Sequence, residues 1–155
     1  MPVFDACVDL PTPWTRKIVH FTGGLTGVGF GPEAKHLLVV SHAGRGVVDL
    51  SSGERVARDR REIPDPEFQE NPFTVQGIGP LEGFQVSCAG LWGGSLPKAC
   101  ADGWRLDGDV LESPSGERHK LPPADAHVVA VGFTPKGEVL VYATGASLSL
   151  YYRVT

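Results

Sequence analysis

Polar and apolar positions along this chain fall into short blocks separated by turn residues. No stretch sustains the 3.6-residue stripe of an amphipathic helix beyond two turns. His36-Leu-Leu-Val-Val-Ser41 is a compact run of branched apolar residues, and Glu138-Val-Leu-Val-Tyr142 has the same character. Runs of this length and composition, bounded by Gly, Pro, Ser and Asp, predict strands. Around the first run, Gly27 to Phe30 leads into Pro32 and a turn through Glu33-Ala34-Lys35. Ala43-Gly44-Arg45-Gly46 turns the chain again into Val47 to Leu50, and Ser51-Ser52-Gly53 into Glu54 to Arg58. The pattern predicts a four-stranded antiparallel meander.

The arrangement recurs. Gly29-Phe30-Gly31-Pro32, Gly77-Ile78-Gly79-Pro80 and Gly132-Phe133-Thr134-Pro135 share the form Gly, large apolar, small, Pro, with starts 48 and 55 residues apart. Each is followed by an apolar run that closes on a small residue and a glycine. Such periods predict repeated β-units. In the second copy, strands are expected near Phe73-Thr74-Val75, Phe84 to Cys88, Gly103 to Leu106 and Val110 to Glu112, with Asp107-Gly108 as a hairpin signal. An insertion, Leu91 to Lys98, interrupts it. Ser115-Gly116-Glu117-Arg118 then repeats Ser52-Gly53-Glu54-Arg55 letter for letter. The third copy ends where its fourth strand should begin, and Pro2 to Val8 or Arg16 to Phe21 is expected to fill that place. The reading is one all-β domain, 1–155, of three antiparallel meanders at roughly 17–58, 73–121 and 127–155. The charged segment from Asp59 to Pro72, with three prolines, is expected to be a surface loop.

Val28-Gly-Phe-Gly-Pro-Glu-Ala-Lys-His-Leu-Leu-Val-Val-Ser41 resembles the inner part of a WD40-type β-propeller blade, and Val131 to Val141 looks like the same element. The Trp-Asp pair and the Gly-His pair of such blades are absent. The resemblance implies a propeller-like arrangement, but propellers typically have 4–8 blades, and three meanders fall short of a ring. Two solutions stay open: a single-chain sandwich or barrel, which is favoured, or a propeller-like assembly completed by a second chain as a homodimer.

Composition narrows the setting. With 20 Gly and 13 Pro in 155 residues the chain is punctuated too often for long helices, while 41% hydrophobic content supports a real core. A net charge of −4 argues against a nucleic-acid partner. Three cysteines (Cys7, Cys88, Cys100) form no dense framework, although a Cys88–Cys100 bond is one option. The first residues lack the basic and apolar regions of a signal peptide, and no apolar run reaches 18 residues. The expectation is a cytoplasmic protein with no membrane partner.

Candidate chemistry is sparse. No His-Glu-x-x-His, paired Cys-x-x-Cys, Walker loop or Gly-x-Ser-x-Gly occurs. His42 and Cys88 fall at equivalent positions of two copies, but no carboxylate matches them as an orienting group. Asp107-Gly108-Asp109 with Glu112 lacks EF-hand spacing and reads as a hairpin. No enzyme activity, cofactor or metal is expected. The departures from the repeat are more informative. Trp92 sits among glycines in the insertion and is a candidate protein-contact anchor, with Trp104 beyond it. Asp59, Glu62, Asp65, Glu67 and Glu70 form an acidic series that could face a basic partner. The resulting expectation is a non-catalytic protein-binding domain, in general character similar to immunity proteins that block a cognate bacterial toxin. The alternative is a small-ligand or carbohydrate-binding module using Trp14, Trp92 and Trp104; a hydrolase using His42 or Cys88 ranks below both.

Overall fold

The computed structural model describes residues 3–6 by their backbone pairing, and residues 10–60, 74–91, 93–123 and 126–153 in full. The chain is all-β and antiparallel. Two strands, β1 (Val3–Ala6) and β2 (Arg16–Phe21), precede the first meander of β3 (Leu25–Phe30), β4 (His36–Ser41), β5 (Gly44–Asp49) and β6 (Arg55–Asp59). Among the described residues the middle of the chain supplies six short strands: β7 (Thr74–Gln76), β8 (Gln85–Ser87), β9 (Ala89–Gly90), β10 (Arg105–Asp107), β11 (Val110–Glu112) and β12 (Arg118–Lys120). The last meander comprises β13 (Val128–Phe133), β14 (Val139–Thr144) and β15 (Ser147–Tyr152). Among the described residues no helix is long and apolar enough to cross a membrane.

The first meander forms a sheet in the order β6-β5-β4-β3-β9, and the last forms a sheet in the order β1-β2-β15-β14-β13. The missing fourth strand of the last meander is therefore β2, which pairs along its whole length with β15, from Phe21 opposite Ser147 to Arg16 opposite Tyr152. The middle repeat does not form one meander. It divides into the hairpin β7–β8 and the three-stranded β10-β11-β12, while β9 joins the edge of the first sheet beside β3.

These pieces stack in layers. The two five-stranded sheets pack face to face over Ile18, Leu37, Val39, Val48, Val141, Leu148 and Leu150 among others. The outer face of the first sheet carries Leu38, Val40 and Val47 and is covered by Val75 and Val86 of β7–β8 with Leu81. The outer face of the last sheet carries Leu140, Tyr142 and Tyr151 and is covered by Trp14, Trp104, Leu106 and Leu111. Successive residues of β4 and β14 thus feed different clusters, which is why these strands read as unbroken apolar runs instead of alternating ones.

The repeated motif has a packing reason. A Cβ on Gly29 would come within 2.5 Å of the Ser87 carbonyl, one on Gly77 would strike the Leu81 carbonyl, and one on Gly132 would strike Leu96. Each copy needs glycine because a neighbouring segment lies against its backbone. After the motif, copies one and three close the same turn, with Gly31 N–H donating to the His36 carbonyl and Thr134 N–H to the Val139 carbonyl, both at 2.9 Å. The two Ser-Gly-Glu-Arg copies also do one job: each turns the chain into the last strand of its unit, β6 or β12.

Polar bonds tie the sheets together. The Tyr152 hydroxyl donates to the Leu50 carbonyl at 2.6 Å. His20 Nε2 donates to the Gly53 carbonyl at 2.7 Å, which places a proton on Nε2. Burial pulls the His20 pKa below its ordinary value, against the opposing pull of that hydrogen bond.

Candidate functional site

The segment from Ala89 to Asp107 is the largest departure from the meander pattern, and the scaffold fixes it from both sides. Leu91 N–H donates to the Thr26 carbonyl of β3 at 2.9 Å, and Gly90 N–H to the Gly93 carbonyl at 3.0 Å. Farther on, Phe133 N–H of β13 donates to the Pro97 carbonyl at 2.8 Å, and Leu106 N–H to the Lys98 carbonyl at 2.7 Å. The Lys98 ammonium donates to the Val131 carbonyl. Leu96 inserts into the core between the large sheets. Against that anchoring, Leu91 is 47% exposed. Trp92, the expected anchor, lies outside the described residues, as do Glu62, Asp65, Glu67 and Glu70.

Trp104 is placed differently from the expectation of a contact residue. It is only 7% exposed and packs edge-on against the fully buried Trp14, ring centroids 5.9 Å apart. Phe133 lies 5.6 Å from Trp14 on another side, and the Arg153 guanidinium sits 4.6 Å from the Trp14 ring centre. Trp14 and Trp104 therefore build the cover of the last sheet, and the carbohydrate-binding alternative loses two of its three aromatics. Asp59 is also engaged: its carboxylate pairs with Arg45 at 3.1 Å, and Arg45 in turn donates to the Gln76 carbonyl at 2.9 Å. This link holds β6 and β5 to β7.

Cys88 is buried in the cluster under β7–β8, and burial pushes its thiol up to about 12, which keeps it protonated. Cys100 belongs to the cluster on the other outer face, so the two thiols are free and lie on opposite sides of the paired sheets. His42 is exposed on the turn between β4 and β5. Asp107 and Glu112 belong to an ion-pair ladder across β10-β11-β12. Arg118 bonds Asp107 at 3.1 Å and Glu112 at 2.9 Å, and Arg105 bonds Glu112 at 2.7 Å. Among the described residues no cluster of His, Cys, Asp and Glu could hold a metal ion.

One surface was not anticipated. A groove of about 180 Å³ opens where the first sheet extends past the end of β2, lined by Phe21, Thr22, Val39, Gly46, Arg55 and Arg58 among others. The register explains why two arginines meet there. Gly46 lies opposite Arg58 and Val48 opposite Arg55, with a bulge at Val56 between them. Residues i and i+3 of a regular strand point to opposite faces; the extra residue turns Arg55 onto the face of Arg58. The sequence shows the arginines but not the bulge. Comparison with family models, curated proteins and solved structures finds no match to this chain.

Proposed function

We propose that this chain is a non-catalytic protein-binding β-domain, in its most concrete form an immunity-type inhibitor that covers the active site of a cognate toxin. The observation that carries the reading is the insertion that begins at Leu91. It is bonded to β3 and β13 at its two ends, yet it turns Leu91 outward beside the position of Trp92. Apolar and aromatic groups on a loop held by a rigid scaffold make effective contact anchors, because little conformational freedom is left to lose on binding. A cytoplasmic setting belongs to the same proposal and is supported by the free Cys88 and Cys100.

Affinity capture with the immobilised chain, run beside Leu91→Asp and Trp92→Ala variants, tests this reading. The expected result is a stoichiometric protein partner held at nanomolar concentration, lost from both variants, whose own enzymatic activity falls on binding. Absence of any such partner, or equal retention by the variants, would overturn it.

A further inference from the structure

We infer that the groove between the end of β2 and the β5–β6 hairpin is a binding site for a single oxyanion group, a carboxylate or a phosphate, held by Arg55 and Arg58. Arg55 and Arg58 line this groove in a chain of net charge −4. The carboxylate among the bordering residues, Asp59, pairs with Arg45. Asp59 and Arg45 carry the parity of Ala57 and Val47, which face β7–β8, whereas Arg55 and Arg58 face the opposite side. Among the described residues no carboxylate pairs with Arg55 or Arg58. The polar contact given to Arg55 is a long one, 3.4 Å to the Thr22 hydroxyl. Arg55 and Arg58 are both exposed, and partial burial with the like charge of Arg58 lowers the Arg55 pKa from its ordinary value. Two guanidiniums turned toward one side and repelling each other form a ready clamp for an anion, which would offset the repulsion and accept their fork of N–H donors.

Gly46 supplies the independent argument. It lies in the interior of β5, opposite Val39 on one side and Arg58 on the other. A Cβ there would meet the Ala57 carbonyl at 3.6 Å and Arg55 Nε at 3.8 Å, ordinary contact distances. Its φ is not in the left-handed region, so neither backbone nor neighbours demand glycine. A strand-interior glycine marks a bulge or a close approach; the β5–β6 bulge lies one residue further on, and the bare position leaves the space beside Arg58 open. The groove is too small to engulf a whole metabolite of drug size, but it suits one anionic group, with the exposed ring of Phe21 at its rim.

The site stands on the β5–β6 geometry and does not rest on the protein-binding reading. The test follows the backbone amides of Thr22, Gly46 and Arg58 by NMR at low salt. The chain is titrated with inorganic phosphate in one arm and N-acetyl-triglutamate in the other. The expected result is saturable shifts centred on those amides in at least one arm, which also identifies the preferred oxyanion. Affinity should weaken at least about tenfold in Arg55→Gln/Arg58→Gln and in Gly46→Val, whose side chain would occupy the floor. Melting temperatures of the variants show that the fold is kept, and the arginine pair suffices if Gly46→Val does not fold. No saturation by either probe at millimolar concentration, or equal affinity in the arginine variant, would overturn the inference and leave these residues as solvated edge charges. Failure of partner capture would leave this titration unchanged.

Discussion

Ala34 holds φ at +53° in the turn after the first Gly-apolar-small-Pro motif, and Glu33 beside it is at +59°. The corresponding position of the third copy is Gly137, at φ +72°. The left-handed region brings Cβ against the following carbonyl, a strain glycine escapes. Ala34→Gly should therefore stabilise the chain by about 0.5–1 kcal/mol, the strain relief exceeding the added freedom of the unfolded chain, read as a higher urea midpoint at unchanged slope. An unchanged or lower midpoint would show that the turn carries no such strain. His20 sets a second expectation. Its folded pKa lies below the ordinary 6.5 because the ring is buried, so in that window the unfolded chain binds the proton that the folded chain refuses. Stability then rises with pH through the window: the contribution is complete above about pH 6.5 and is lost as pH falls toward the folded value. Melting temperature should drop more steeply from about pH 7.5 to about pH 5 in the native chain than in His20→Gln. Parallel slopes would exclude His20 as the source.

Ile18 shows what β2 contributes as an element. It is 2% exposed, packs in the cluster between the large sheets and lies opposite Leu150. Ile18→Ala should cost about 2–5 kcal/mol in chemical denaturation; a cost well below that would mean that β2 adds little to the sheet. The strands of the first meander were legible because Leu37 to Val40 and Val47 to Val48 are branched, apolar and framed by turns. The open fourth position of the last meander was legible from the repeat, and Arg16–Phe21 was one of two named fillers. The division of the middle repeat was not legible. Ala89 and Gly90 carry too little side chain to signal a partner, and their pairing with Val28 and Gly27 depends on the bare backbone at Gly90, where a Cβ would strike the Thr26 carbonyl. The burial of Trp104 escaped for a similar reason: its partner, Trp14, is remote in sequence. The groove depended on a bulge, and bulges leave no mark in hydrophobic alternation.

At the scale of the whole molecule, the covers over the two outer faces make Cys88 a reporter of opening. The thiol lies under β7–β8, with its pKa up to about 12, so a thiol reagent should not reach it in the native state. In a Cys7→Ser/Cys100→Ser variant, labelling of Cys88 should proceed only as fast as the protein opens, accelerating with denaturant in step with unfolding. Rapid labelling in buffer would show that the β7–β8 cover detaches on its own. The pairing of β2 with β15 has a different kind of consequence, one of timing. The first meander pairs neighbours in the chain and can assemble as soon as Asp59 has left the ribosome. β2 is made before all of it, yet the strand that receives it, β15, follows every other described strand in the chain. Ile18 must then wait through the synthesis of more than a hundred residues, with β1 beside it, before the third-meander sheet can form. Such distant pairing folds slowly and leaves apolar surface open to wrong partners meanwhile. Newly made chains thus pass through a stage in which the first meander is paired while β2 still awaits the later strands that complete its own sheet.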